Sequence, residues 1–221
     1  MEGHNLLIST INLEDQKTVT MELIEKNGVV TQKVLRYDDF LSIVNDKEIC
    51  TERIHIPKLP EHTVSIRWDD EATYEAVIFV PGGKRYANFL DQDLNICYPN
   101  ILFRATVLQS RMTGSAIFAV KEDFETISEK TEVFNYPYGN VAAGSGSICW
   151  GNTALPDILT PCDLNKVLWM FFSAKTNNHL WHQGENAMIE SIDELYLRMT
   201  KAETFDESLL VPAGSFDELL G

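Results

Sequence analysis

The sequence predicts an α+β domain in which an antiparallel β-meander comes first and helices follow. Between residues 64 and 136, short β-type runs alternate with turn residues at close intervals. Beyond residue 160, two stretches place apolar side chains at helical spacing. Joining the two halves is a turn-rich loop with Pro137, Gly139, Gly144 and Gly146 that ends at Cys149 between apolar Ile148 and Trp150. At 221 residues the chain suits one domain with extensions. A chain of this size buries roughly 70% of its unfolded surface and needs neither disulfide nor metal to hold a core.

In chain order, residues 6–13 and 18–25 alternate as strands around the polar turn 14–17. Asn27-Gly28 is a hairpin signal leading into a strand at 29–35. Asp38 caps a short helix with Phe40, Leu41, Ile43 and Val44 as its apolar residues. Residues 1–60 thus form an N-terminal β extension with a helix, 61–201 the core and 202–221 an acidic tail. In the core, strands are expected at 64–68, 72–80, 84–90, 100–108, 116–120 and 131–136. Pro81-Gly82-Gly83 and 112–115 are read as turns, and 121–130 as a charged connection. Thr160-Pro161-Cys162-Asp163 has the hydroxyl, proline and carboxylate of a helix start. Leu164, Val167, Leu168 and Phe171 form the stripe of that helix. A polar loop at 175–184 precedes a second helix, 185–199, whose face is Met188, Ile189, Ile192, Leu195, Tyr196 and Met199. The tail holds a near-repeat, Phe205-Asp206-Glu207-Ser208-Leu209-Leu210 and Phe216-Asp217-Glu218-Leu219-Leu220, read either as a mobile acidic segment or as two docking motifs.

Composition excludes several functions. Apolar residues make up 44% and charged residues 23%, as in ordinary globular proteins. A net charge of −15 argues against nucleic acid or an anionic membrane as partner, since both require a cationic surface, and favours a basic protein surface. The start carries no basic leader and no apolar run spans a bilayer, so a cytoplasmic protein is expected. Cys50, Cys97, Cys149 and Cys162 are widely spaced without a Cys-x-x-Cys pair, which supports neither a disulfide framework nor a zinc site. His55 and His62 lack a third ligand at useful spacing and read as surface or capping residues. Gly82-Gly83-Lys84 lacks the Ser/Thr and the following helix of a phosphate loop, so it reads as a hairpin turn. No cofactor is called for.

Residues 131–156 are where chemistry concentrates. Cys149, with Asn140 nine positions upstream, fits a nucleophile beside a hydrogen-bond donor. It also fits a small buried hydrophobe after a hairpin. The order meander, Cys loop, helices resembles the ubiquitin-conjugating fold. In those enzymes a strand ends in His-Pro-Asn, and a short loop leads to Gly-x-Ile-Cys and an apolar residue. This chain has Tyr138-Gly139-Asn140, then Gly146-Ser147-Ile148-Cys149-Trp150. It is similar to one bacterial branch in particular, the PRTRC system protein B or prokaryotic conjugating-enzyme family D group. The stretches that carry this are Val80-Pro81, 98–103, Ala119-Val120-Lys121, Thr131, Asn140, the Cys loop and Phe171-Phe172-Ser173, across about residues 60–182. Two departures stand out: Tyr138-Gly139 replaces His-Pro, and the Asn-to-Cys interval is one residue longer than in the eukaryotic pattern.

The resemblance implies a carrier that takes a ubiquitin-like protein from an activating-enzyme-like adenylyltransferase as a Cys149 thioester and passes it to an amine. Asn140 is then the donor to the oxyanion, and Asp157 a candidate for orienting a lysine. It further implies a JAB-type peptidase in the same cassette and a role in antiphage defence. Two other readings remain: a non-catalytic binding scaffold, which requires Cys149 to be buried, and a cysteine hydrolase, with His179 or His182 as base.

Overall fold

The fold comes from a computed structural model, which describes residues 6–11, 18–24, 30–36, 58–70, 72–181 and 189–220. The chain divides into two compact units, Met1–Ile56 and Pro57–Gly221. In the first, β1 (Leu6–Ile11), β2 (Thr18–Ile24) and β3 (Val30–Arg36) form an antiparallel sheet in sequence order. The turns expected at 14–17 and Asn27-Gly28, the helix after Asp38, His55 and Cys50 lie outside the described residues.

The second unit is built on six strands in the order β12-β10-β9-β8-β5-β4. These are β4 (Thr63–Asp70), β5 (Thr73–Val80), β8 (Asn100–Leu108), β9 (Arg111–Val120), β10 (Glu132–Asn135) and β12 (Pro212–Ser215). All of its pairings are antiparallel. The hairpin β6 (Gly83–Phe89) and β7 (Gln92–Tyr98) leaves this sheet and forms a second one, joined in parallel by β11 (Lys175–Thr176) alongside β6. Since Gly83-Lys84 opens a strand, the phosphate-loop geometry is absent there.

Central strands β8 and β9 are apolar on both sides, and both sides are covered. Ile78, Phe103, Ala105 and Val107 face Ile158, Leu164, Val167 and Leu168. The opposite face, with Val77, Phe79, Leu102, Phe118 and Val120, is closed by Phe216 and Leu220. Those last two residues sit on the final short helix, Phe216–Leu220. Residues 202–220, one reading of which was a mobile tail, therefore complete the core. Strand β12 pairs with β10, Phe216 N–H donates to Thr131 O (2.9 Å), and Arg104 Nη1 donates to Leu219 O (2.8 Å). The first copy of the near-repeat is also used internally: Leu209 and Leu210 are buried, and Asp206 pairs with Arg198 at 2.5 Å. Each such buried Phe or Leu contributes roughly 1.5–3 kcal/mol.

Two features depart from the sequence expectation for one reason. The turn of the β8–β9 hairpin is at Gln109-Ser110 (φ 50° and 62°), not at 112–115, where Gly114 instead lies within β9 opposite Thr106. Likewise β7, unforeseen, follows a turn at Leu90-Asp91 (φ 48° and 63°). Both are tight turns with successive left-handed residues, a geometry normally signalled by Gly or Asn, which neither sequence contains.

Two helices cover the β8–β9 face and the small sheet. Helix α1 (Leu164–Ser173) packs on β6, and α2 (Ile192–Lys201) on β7. The stripe of α1 is buried as expected. In α2, Ile192, Leu195, Tyr196 and Met199 are buried, and Ile189 is buried just before it; Met188 and His182 lie outside the described residues. A short 3₁₀ turn, Pro161–Asp163, starts α1. Asp163 Oδ2 accepts from Thr160 N–H at 2.9 Å, and Lys166 Nζ donates to Oδ1 at 2.6 Å.

The Lys166 hydrogen bond, then the Thr160 N–H, hold the Asp163 carboxyl below the usual range. Asp163→Ala should destabilise the protein by about 1 kcal/mol. That contribution is complete above the unfolded-state pKa and is lost as pH falls through the lower folded-state value. Urea unfolding should therefore show the full difference at pH 7, a difference that begins to shrink only below about pH 4 and vanishes once the pH lies below the lower folded-state value.

Candidate active site

The loop carrying Cys149 is held by anchors on three sides. Strand β10 leaves the sheet at Asn135, and Tyr136 and Tyr138 turn inward, both buried. The Tyr138 hydroxyl donates to the Cys97 carbonyl. Its ring packs against Tyr98, Tyr136 and Tyr196, with centroids 5.0, 5.7 and 5.1 Å away. Burial pushes the Tyr136 and Tyr138 hydroxyls well above the ordinary phenol range, so both stay neutral. Gly139 follows where the chain crosses the 175–179 segment. A Cβ there would lie 1.9 Å from Asn177 O. Tyr138-Gly139 thus fixes the loop by a buried phenol and a backbone crossing that no side chain, proline included, can enter.

Asn140 lies in the left-handed region (φ 66°), which asparagine tolerates better than other non-glycine residues. Its C=O accepts Cys149 N–H at 2.8 Å and its N–H donates to His179 C=O at 3.0 Å. Its side-chain Nδ2 donates to Lys175 C=O at 2.9 Å. Cys149, Asn140 and the 175–179 segment are therefore locked side by side.

Beyond Asn140 the loop takes up the place beside β9 where β10 has left. Ile117 N–H donates to Gly146 O (2.9 Å) and Ile148 N–H to Ser115 O (3.3 Å). Gly146, at φ 65°, passes so close to Phe118 that a Cβ would lie 2.6 Å from the ring. Half-buried Ile148 packs into the core, and Trp150 Nε1 donates to Ser115 Oγ at 2.9 Å while its ring meets Phe171 edge-on at 6.1 Å. With both neighbours turned inward, extended-chain alternation sends Cys149 outward. It is exposed.

The other described cysteines are committed elsewhere. Cys97 is buried, its Sγ 3.2 Å from Ala202 O, and burial pushes its thiol pKa up. Cys162 is half-buried, 3.2 Å from Lys58 O.

Cys149 opens onto a hollow of about 360 Å³. Ile148, Trp150 and Phe171 supply its apolar wall, and Asn140, Thr153, Lys175, Asn177 and His179 its polar one. In a chain of charge −15, no carboxylate is among these lining residues. Lys175, the one Lys or Arg among the described residues of the lining, pairs with Asp91. The structure thus gathers Cys149, Asn140 and His179 at one place. Asp157 is exposed and not part of the lining. Sequence reasoning missed Lys175 and Asn177, which reach the hollow through the parallel pairing of β11 with β6, a long-range contact with no local signal. His62 has a packing role: its ring lies 5.0 Å from that of Phe124. Among the described residues no cluster of His, Cys, Asp and Glu is arranged to hold a metal, and no helix is long and apolar enough to cross a membrane.

The model of prokaryotic E2 family D matches residues 39–213. The chain belongs to this family. No curated protein and no solved structure matches it. Family D membership makes the protein conjugating-enzyme-like, and the matched span takes in all strands of the larger sheet but the end of β12, the Cys149 loop and helices α1 and α2.

Gly139→Ala should force the loop away from Asn177 and cost about 1–3 kcal/mol, as overpacking does. Thermal unfolding checks this; an unchanged Tm would contradict the crossing described above.

Proposed function

We propose that the protein is a bacterial ubiquitin-conjugating-like enzyme, with residues 61–201 adopting the ubiquitin-conjugating fold, residues 1–60 an N-terminal extension and the C-terminal segment 202–220 closing the open face of its sheet. The observation that carries this is the exposed Cys149 thiol sharing a hollow with the Asn140 amide in a family D chain. The Cys149 thiolate attacks the thioester by which an activating-enzyme-like adenylyltransferase holds a ubiquitin-like protein. A new C–S bond forms as the old one breaks, and the activating enzyme's thiolate leaves. An amine then attacks the same carbonyl carbon, and negative charge develops on the carbonyl oxygen. Asn140 Nδ2 spends one hydrogen on Lys175 C=O and has a second for that oxygen. No cofactor is needed, because the incoming acyl group is already activated. A JAB-type peptidase and an antiphage role within one cassette, as in PRTRC system protein B, belong to the same proposal. A scaffold without chemistry is less well supported, since it requires a buried Cys149, whereas this thiol is exposed.

Incubation with the cognate activating enzyme, ubiquitin-like protein and ATP should give a thiol-labile adduct. It should be absent from Cys149→Ala and resistant to thiols in Cys149→Ser, which forms an oxyester. An adduct that persists in Cys149→Ala, or none with wild type, would overturn the proposal. Asn140→Gly keeps the left-handed backbone while removing the amide. It should load normally yet discharge to an amine on the order of 10² to 10³ more slowly, measured by single-turnover chase.

A further inference from the structure

The hollow beside Cys149 contains a second chemical resource that the carrier role does not use. An amine attacking a thioester must lose a proton, and a lysine that arrives as ammonium must lose one before it can attack at all. Acceptors for such a proton are scarce around Cys149. Asn140, Asn177 and Thr153 are not bases, and Lys175 is a cation held by Asp91. No carboxylate is among the described residues of the lining. His179 remains.

Its position is built rather than incidental. His179 C=O is tied to Asn140 N–H at 3.0 Å, and Asn140 C=O to Cys149 N–H at 2.8 Å, so two consecutive backbone bonds connect the imidazole-bearing residue to the thiol-bearing one. Asn177 Oδ1 accepts His179 N–H at 2.7 Å, and Leu180 (φ 62°) turns the chain away immediately afterwards. His179 is exposed and lines the hollow, and no described residue hydrogen-bonds or ion-pairs with its ring nitrogens.

We infer that the His179 imidazole accepts the proton of the attacking amine, an inference that rests on the carrier role of Cys149. The amine lone pair forms the C–N bond at the thioester carbonyl, and the N–H proton passes to the unprotonated ring nitrogen of His179. The C–S bond then breaks with its electron pair going to Cys149 Sγ, and the imidazolium returns its proton to that thiolate or to water. The products are an amide and the free thiol. Proton transfer by a positioned side chain contributes typically 10²–10⁴-fold to rate.

The test uses the full chain acylated with a Gly-Gly peptide thioester of mercaptoethanesulfonate, and follows loading and discharge by intact mass. His179→Gln should load at Cys149 like wild type and discharge to free lysine on the order of 10²-fold more slowly. Its discharge to hydroxylamine should be unchanged, because hydroxylamine is unprotonated at neutral pH and its adduct is acidic enough to lose a proton to water. In His179→Ala, added imidazole should restore lysine discharge. Lysine discharge at the wild-type rate, or equal slowing with both nucleophiles in both variants, would overturn the inference. If Cys149→Ala takes up as much acyl group as wild type, the carrier reading itself fails and the inference goes with it.

Discussion

Two backbone hydrogen bonds, from Cys149 N–H to Asn140 C=O and from Asn140 N–H to His179 C=O, are the constraint on which the site depends. They join the two ends of the loop after β10, Asn140 and Cys149, to the segment after α1, some thirty residues further along the chain. Because the bonds are made by main chain, they fix position without consuming a functional side chain. The thiol, the second amide hydrogen of Asn140 and the imidazole stay available. Asn140 is held in the left-handed region by bonds on both sides of its peptide unit, a small local cost that the surrounding packing over-determines.

That ladder is only as rigid as what lies beneath it. The aromatic cluster of Tyr98, Tyr136, Tyr138 and Tyr196 fills the space under the loop, and Phe171 and Phe172 from α1 close it from the side. Tyr196 stacks on Phe89 with centroids 4.0 Å apart, and its hydroxyl lies 2.9 Å from Thr176 Oγ1, tying α2 to β11. Burial raises the Tyr196 hydroxyl to about 12, so this contact stays uncharged at any physiological pH. The C-terminal strand and helix close the far face of the sheet, which leaves the thiol loop's supporting strand β9 packed on both sides.

Much of this was legible in the residues. The α1 start at Thr160-Pro161, its buried stripe and most of the meander follow from capping and periodicity, which are local. Gly146-Ser147-Ile148-Cys149-Trp150 also read correctly as apolar neighbours around one cysteine, and the structure places that cysteine at the surface. What escaped was non-local or lacked the usual residue. The turns at Leu90-Asp91 and Gln109-Ser110 have no glycine to announce them. Residues 202–220 looked like an acidic tail because Phe216 and Leu220 are sparse among carboxylates, yet those two side chains are what the open sheet face requires. The replacement of His-Pro by Tyr138-Gly139 could be seen, but its reason could not, since it lies in the carbonyl of Asn177.

A family D conjugating-like protein with so acidic a chain and no carboxylate among the described residues of its thiol hollow fits a division of two tasks. In the proposed carrier, net charge governs which surfaces approach, while a neutral amide, an imidazole and one paired lysine govern what happens at the sulfur. The central claim, that this hollow receives an acyl group carried on Cys149 and presents its oxygen to Asn140, is tested most directly by a crystal structure of the Gly-Gly-acylated protein. The account predicts the acyl group on Cys149 Sγ, lying in the hollow with its carbonyl oxygen within hydrogen-bond distance of Asn140 Nδ2. An acyl group on another cysteine, or one pointing into solvent with the hollow empty, would contradict it.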